Sequence, residues 1–364
     1  MRKDTILNKF QDKKSLNIGL ISDTHFAVHR KINIFHKHMV DAADEFITQC
    51  EKHNVDFIVH CGDLFDTKME IATTGLIKTN DLINKISSKF PIMILPGNHD
   101  FAYKENNQFN LASNYKHQYN VTIFEEYEKL YFAGSNTTLH FLPYHDKPRE
   151  AIKKITVDKK HQNVLFGHMG VLGFAVHAYA SRVANQVSAQ IKQKTVAKFD
   201  QVFLGHYHGY QSKNNVTYVS APLQSRHGDE KSKHGFVFWN TAKEKHVFTE
   251  NTHTPQFKTF DLTKSNAQKM LQLKDHYIRM VIKKKVSKDL LIALRRKLLK
   301  KNYEVKEKFE FIDDMKLAVI DGWKDFVIKD PDSFIMNYIE ILEEQDELPY
   351  DKTELLRLLD INIK

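Results

Sequence analysis

The stretch Pro91-Ile92-Met93-Ile94-Leu95-Pro96-Gly97-Asn98-His99-Asp100 restricts what this chain can fold into more than any other. An apolar run of strand length stops at a Pro-Gly turn, and side chains able to bind metal or move protons follow at once. The same plan recurs at Ile18-Gly-Leu-Ile-Ser-Asp23-Thr-His25, Phe57-Ile-Val-His-Cys-Gly-Asp63, Val164-Leu-Phe-Gly-His168 and Val202-Phe-Leu-Gly-His206-Tyr-His208. Five buried strands therefore each end in Asp, Asn or His. An amphipathic helix from about 34 to 52, with Phe35, Met39, Ala42, Ala43, Phe46 and Ile47 on one side, separates the first two strands. A second helix, from about 70 to 87, precedes the third. This alternation predicts an α/β chain with a parallel sheet covered by helices, and ligand sites in such sheets lie beyond the carboxyl ends of the strands.

At 364 residues the chain exceeds one average domain. Residues 1–16 read as a mobile polar arm, because Met1–Phe10 alternates charged and apolar residues and lacks the apolar core of a secretion signal. Cys50 and Cys61 are too few for a disulfide framework and read as reduced packing residues. No run reaches the ~20 apolar residues of a membrane span, so the expectation is a soluble, cytoplasmic chain with no membrane partner. The formal charge of +9 suggests a polyanionic partner. Its distribution says more: Arg279–Lys308 has twelve Lys or Arg against three acids, whereas Asp330–Asp351 has eight acids and no Lys or Arg.

Short strands are expected at 121–124, 129–132 and 139–142, with a helix starting near Pro148. The small-residue stretch 169–188, carrying His177 and Arg182, reads equally as an active-site loop or a connector. Strands at 216–220 and 235–239 lead to a boundary near Pro255. Residues 255–310 then read as a small α+β domain, 311–330 as a linker and 331–364 as a pair of short amphipathic helices. The helix 287–301 interleaves Leu290, Leu291, Leu294 and Leu298 with Arg295, Arg296, Lys297, Lys300 and Lys301. Contact with phosphate backbones is its preferred use, against an ordinary helix with a solvated face.

Taken singly, each strand-end residue has an ordinary explanation, since Asp and Asn favour turns and a lone His is usually a hydrogen-bonded structural residue. Together, Asp23, His25, Asp63, Asn98, His168, His206 and His208 offer mixed oxygen and nitrogen donors without a thiolate. Such a set suits Mn²⁺, admits Fe²⁺, Zn²⁺ or Mg²⁺, and disfavours a Cys-rich structural zinc site. Seven ligands exceed the need of one ion and match two divalent cations sharing a bridging carboxylate. Paired ions of this kind serve phosphoryl displacement, so the chemistry indicated is hydrolysis of a phosphate ester.

The series Asp23-x-His25, Gly62-Asp63, Gly97-Asn98-His99-Asp100, Gly167-His168 and Gly205-His206-x-His208 resembles the five ordered motifs of the calcineurin-like metallophosphoesterases. The resemblance covers most of residues 17–240 and implies a helix-covered, four-layer β-sandwich over residues 17–254. It implies that Asp23, His25, Asp63 and His208 hold one ion, and that Asp63, Asn98, His168 and His206 hold its neighbour. His99 resembles the family's catalytic non-ligand His, which assists the leaving oxygen. Asp100 would orient it by a hydrogen bond, or else simply cap a helix after the turn.

Gly62-Asp63-Leu-Phe-Asp66-Thr lacks the Arg of phosphoprotein phosphatases and resembles the SbcD / meiotic recombination 11 nuclease family. Some members carry a His where Asp66 stands, which leaves open whether Asp66 helps to orient DNA. Ser220-Ala221-Pro222 and His234-Gly235-Phe236 resemble that family's exit from the catalytic domain, residues 255–310 its DNA-capping domain, and 331–364 its segment for docking on an SbcC-like coiled-coil ATPase. The resemblance implies a homodimer acting on DNA ends, hairpins or single-strand regions. The short loops and Lys/Asn-rich composition resemble a tailed-phage branch, which would work in an infected cell. The expected function is a two-metal DNA exonuclease/endonuclease subunit, with Arg295, Arg296, Lys300 and Lys301 on DNA. Its rivals are a small-molecule or cyclic-nucleotide phosphodiesterase, which needs no basic accessory domain, and a non-catalytic DNA-binding scaffold, which needs no intact ligand set.

Overall fold

The computed structural model describes residues 3–26, 33–66, 71, 73–103, 106–176, 189–284 and 286–310. The chain divides into two compact units, Met1–Lys258 and Thr259–Lys364. The first begins with α1 (Lys3–Phe10), β1 (Asn17–Ile21), α2 (Asn33–Lys52), β2 (Phe57–His60), α3 (Thr73–Ser87) and β3 (Ile92–Ile94). An antiparallel pair, β4 (Phe101–Tyr103) and β5 (Asn106–Asn110), follows. Next come β6 (Val121–Ile123), β7 (Glu128–Phe132), β8 (Thr137–Leu142), α4 (Pro148–Lys154) and β9 (Gln162–His168). The unit continues with β10 (Val171–Leu172), β11 (Ile191–Lys192), β12 (Gln201–Gly205), β13 (Gln211–Lys213), β14 (Val216–Tyr218), β15 (Gly235–Asn240) and β16 (Val247–Glu250).

Two six-stranded sheets result, in the orders β16-β15-β1-β2-β3-β6 and β13-β14-β12-β9-β8-β7. In the first, β1, β2, β3 and β6 run parallel, and in the second β14, β12, β9 and β8 do. The five motif-bearing strands therefore do not share one sheet. β1, β2 and β3 are neighbours in one, and β9 and β12 are neighbours in the other.

Alternation along each strand decides which side chains lie between the sheets. Ile18, Leu20, Phe57, Val59 and Met93 of the first sheet pack with Leu139, Phe141, Val164, Phe166 and Phe203 of the second in one buried cluster. The opposite face of the first sheet meets α2, where the Phe46 ring lies 4.9 Å from Phe236. On the far side of the second sheet, Leu142, Leu165, Val202, Leu204 and Tyr218 pack with Ile152 and Ile155 at the end of α4. The order helix, sheet, sheet, helix is the expected four-layer sandwich. Cys50 and Cys61 are free and buried.

The expected polar arm is instead a docked helix. Ile6 and Phe10, one turn apart on α1, are buried with Leu16 in the cluster between the sheets, and the Phe10 ring lies 5.7 Å from Phe57. Gly134 donates its N–H to Gln11 O at 2.8 Å, tying the segment after α1 to the β7–β8 turn. An i, i+4 apolar pair is enough to seat a helix when a core edge is there to receive it.

The second unit follows the expected strand-helix order: β17 (Phe257–Asp261), α5 (Lys264–Gln272), β18 (Tyr277–Ile282), α6 (Lys288–Leu299) and β19 (Glu304–Phe309). Thr263 and Ser287 accept the N–H groups of Asn266 and Leu290, which starts α5 and α6 where the sequence offers N-caps. Met270, Ile278, Met280, Leu294, Leu298 and Val305 form its core. Leu290, read as part of the apolar face of α6, is 61% exposed. The linker 311–330, the helices 331–364 and the pair His177 and Arg182 lie outside the described residues.

Candidate metal centre

The site begins where β1, β2 and β12 leave their sheets. Asp23, His25, Asp63 and His206 all take positive φ, at 51°, 43°, 53° and 96°. For a residue with a Cβ such a conformation costs roughly 1–3 kcal/mol, and it persists only where surrounding bonds over-determine it. Here they do. Asp23 N–H donates to Gly62 O at 2.9 Å and His25 N–H to Asp63 O at 3.1 Å, which locks the β1 loop onto the β2 loop. His206 N–H donates to both oxygens of Asp23, at 3.0 and 3.2 Å, across the seam between the sheets. A second seam bond runs from His168 Nδ1–H to Cys61 O at 2.8 Å. The close approach requires Gly205, whose Cβ would press into Ser22 Oγ and Cys61 O.

The side chains so held converge. Asp63 Oδ2 lies 3.3 Å from His168 Nε2 and 3.7 Å from His25 Nε2. Asn98 Oδ1 lies 3.0 Å from His168 Nε2 and 2.9 Å from His206 Nδ1. His25 Nε2 is 3.0 Å from His208 Nε2 and 4.0 Å from Asp23 Oδ1. All seven residues singled out in the sequence thus meet at one point of the seam. The sets Asp23, His25 and His208, and Asp23, Asp63 and His168, each bring ligand atoms within 4.8 Å of one another.

Electrostatics show what the cluster lacks. Burial alone would lower the pKa of His168, but the Asp63 carboxylate outweighs it and raises the value to about 9. Burial would raise Asp63, yet His168, His25 and His99 drive it well below the usual carboxylate range. His206 is pushed down to about 4, mainly by burial and then by charge on His168. Two buried carboxylates therefore recruit positive charge, which within the cluster falls on His168, while burial keeps the His206 imidazole neutral. A divalent cation satisfies both demands, and the oxygen- and nitrogen-rich donor set fits Mn²⁺ or a similar ion. His168 Nδ1–H is already committed to Cys61 O, which leaves Nε2 as the atom turned to the centre.

Around this set stand residues of different kinds. His99 N–H donates to Asp63 Oδ1 at 2.8 Å, and its Nδ1–H donates to Asp66 O at 2.8 Å, which leaves Nε2 as the other ring nitrogen. The Asp66 carboxylate reaches His25 Nδ1 at 3.3 Å. His25, Asp66 and His99 also qualify as a metal-holding group by distance. The role considered for Asp100 is corrected. Its carboxylate accepts the N–H groups of Gly97 at 2.8 Å, Phe65 at 2.9 Å and Leu64 at 3.1 Å, bracing the two loops without reaching His99. It caps no helix either, because β4 follows it.

One residue of the site escaped the sequence reading. Asp229, buried in a short turn at His227–Asp229, sits 3.8 Å from His208 Nδ1. Its oxygen Oδ2 accepts the Ser225 N–H at 2.9 Å and the Ser225 hydroxyl at 3.0 Å. Burial works against its charge, but His208 and its other partners hold the Asp229 pKa well below the usual range. His208 is raised in turn, Asp229 outweighing the effect of burial. No period or motif surrounds Asp229, so only the fold identifies it.

In the second unit, Arg295 and Arg296 lie exposed on α6, with Lys300 and Lys301 exposed just beyond it. Arg295 Nε approaches Glu307 at 3.5 Å, and Lys301 Nζ donates to Leu271 O at 3.4 Å. No helix among the described residues is long and apolar enough to cross a membrane.

Several known proteins have related sequences. A putative phosphoesterase, 244L, of Invertebrate iridescent virus 6 is 28% identical over 223 residues, 58% of this chain and 72% of that protein. Exonuclease subunit 1 of Enterobacteria phage T4 is 22% identical over 243 residues, covering 66% of this chain and 68% of its own length. An SbcCD nuclease subunit of Staphylococcus saprophyticus is 24% identical over 221 residues, 53% of this chain and 57% of its own. Residues 16–210, which contain all seven converging side chains, match the calcineurin-like phosphoesterase family, and the chain belongs to that family.

Proposed function

We propose that the chain is a metal-dependent phosphodiesterase acting on DNA, the nuclease subunit of an ATPase–nuclease assembly that processes DNA ends. The observation that carries the reading is the convergence of seven oxygen and nitrogen donors from both sheets around the Asp63 carboxylate. Asp23, His25, Asp63 and His208 would hold one cation, and Asp63, Asn98, His168 and His206 a second, with Mn²⁺ the best match to these donors. When bound, such a pair supplies the positive charge that activates water and stabilises a phosphoryl transition state.

The protein's own part is positioning and proton movement. Asp23 is fixed by the His206 N–H, and His168 by Cys61 O, so neither has to reorganise on substrate binding. His99, with Nδ1–H given to Asp66 O, presents Nε2 to the leaving oxygen and delivers a proton there. Asp66 O sets that orientation, and its carboxylate holds His25. Support for DNA as substrate comes from the exonuclease and nuclease relatives and from the basic helix α6. Arg295, Arg296, Lys300 and Lys301 are its phosphate contacts in this reading.

The segment 331–364 would dock on an SbcC-like coiled-coil ATPase, and the working form would be a homodimer. Truncation after Lys329 is then expected to remove ATPase co-purification while sparing hydrolysis of a small diester.

The direct test incubates the pure chain with labelled duplex and hairpin DNA, with and without Mn²⁺, alongside bis-p-nitrophenyl phosphate. Mn²⁺-dependent cleavage of both DNA and diester supports the reading. Cleavage of the diester with intact DNA would assign the site to small molecules instead, and inertness toward both would make the chain a scaffold.

A further inference from the structure

Just downstream of His168 the catalytic unit becomes one-sided in charge. From Met169 to Phe199 the sequence has no Asp or Glu, yet it carries Arg182, Lys192, Lys194 and Lys198. Lys192 at the end of β11 and Lys194 in the turn after it line a cavity of about 340 Å³ together with Arg149 of α4, Gln190 and Thr195. No acidic residue is among the described lining. Arg149, Lys192 and Lys194 have no ion-pair partner among the described residues. Some exposed lysines of the same unit are paired, Lys37 with Asp41 at 2.6 Å, Lys78 with Asp81 at 3.1 Å and Lys89 with Glu51 at 2.5 Å. Of the acids close by in sequence, Asp146 is engaged with His145 at 2.9 Å, and Glu150 does not line the cavity.

The walls are fixed. Lys198 turns inward and donates to Ile152 O at 2.6 Å and Ile155 O at 2.5 Å, pinning the end of α4 to the segment that carries Lys192 and Lys194. β10 and β11 pair in register, Val171 with Ile191 and Leu172 with Lys192, and β10 starts just after the candidate ligand His168. Three uncompensated cations in a rigid concavity attract an anion more strongly than the same charges on an open, paired surface.

We propose that this cavity is a phosphate-backbone site of the catalytic unit, in which Arg149, Lys192 and Lys194 hold a polynucleotide strand beside the metal centre. Among the described residues the lining includes no aromatic ring on which a base would stack, so the contact is with phosphate and sugar and is independent of sequence. Leu172, 36% exposed, supplies the apolar surface for the sugar. The inference rests on the reading of the chain as a nuclease and adds a contact to it that is independent of α6.

The test compares the full-length wild type with the combined variant Arg149→Gln, Lys192→Gln, Lys194→Gln. A control variant, Lys37→Gln, Lys78→Gln, Lys89→Gln, removes equal charge from paired positions. Binding of a labelled oligothymidylate is followed by fluorescence anisotropy over a salt series, and bis-p-nitrophenyl phosphate hydrolysis is measured in parallel. The cavity variant should lose on the order of tenfold in affinity at low salt and about two units of log–log salt slope, with diester hydrolysis unchanged. The control should keep the wild-type slope. An unchanged slope in the cavity variant, or an equal loss in the control, overturns the cavity site and leaves the nuclease reading standing. A wild-type chain that binds no DNA overturns that reading and the cavity with it.

Discussion

Each sheet of the catalytic unit is built on four parallel strands, but the two bring different chemistry to the seam. The first delivers every oxygen-bearing side chain of the centre, Asp23, Asp63 and Asn98, together with His25. The second delivers imidazoles alone: His168, His206 and His208. Neither edge is a metal site by itself. One is a row of buried carboxylates in need of positive charge, the other a row of nitrogen donors in need of a partner. The bonds from His206 N–H to Asp23 and from His168 to Cys61 O join the halves, so closing the sandwich and building the centre are one event.

The largest expected effect comes from removing the group both halves address. Asp63→Asn should abolish hydrolysis of DNA and of the small diester and weaken binding of both ions, because one carboxylate offsets the repulsion between them. Metal stoichiometry by mass spectrometry alongside turnover checks this, and two bound ions with full activity would show the bridge to be dispensable.

His99→Ala should sharpen the division between holding metal and doing chemistry. Its backbone N–H, which anchors Asp63, survives the substitution, whereas the ring proposed to serve the leaving oxygen does not. The rate should fall 10²–10⁴-fold with metal stoichiometry and DNA affinity kept. Loss of an ion in this variant would move His99 into the ligand set.

These two residues also show how much of the site was legible in the sequence. Short apolar runs ending at Gly-Asp, Gly-Asn-His and Gly-His mark their strands, because buried strands and abrupt turns both leave local patterns. Nothing local says which strands share a sheet: β3 and β9 read alike, yet they lie in different sheets. Helix α1 was missed because Ile6 and Phe10 are separated by charged and polar residues, and their burial depends on a core edge built from distant strands. Asp100 takes neither of its two expected roles, for a related reason. Its neighbour His99 suggested a dyad, whereas the amides that claim it belong to Gly97, Leu64 and Phe65.

Asp229→Asn tests the imidazole half. The variant keeps the shape of the turn but removes the charge facing His208 Nδ1, and loss of an outer partner of this kind typically costs 10–100-fold in metal affinity. Isothermal titration with Mn²⁺ reads this directly, and Asp229→Glu should recover part of the loss. Equal affinities for wild type and Asp229→Asn would reduce Asp229 to a brace for Ser225.

The smallest effect at the centre is expected from outside both sheets. Replacing Arg295, Arg296, Lys300 and Lys301 by Gln should leave diester hydrolysis untouched and flatten the salt dependence of DNA binding by up to about one unit of log–log slope for each phosphate no longer engaged. The ion pair of Arg295 with Glu307 makes it the weakest contributor of the four. An unchanged slope would remove α6 from the DNA face.

The central claim is that donors from two sheets form one two-cation centre, and anomalous diffraction from Mn²⁺-soaked crystals tests it most directly. The account predicts two peaks per chain, one among Asp23, His25, Asp63 and His208 and one among Asp63, Asn98, His168 and His206. A single peak, or peaks coordinated by the residues of one sheet alone, would contradict it.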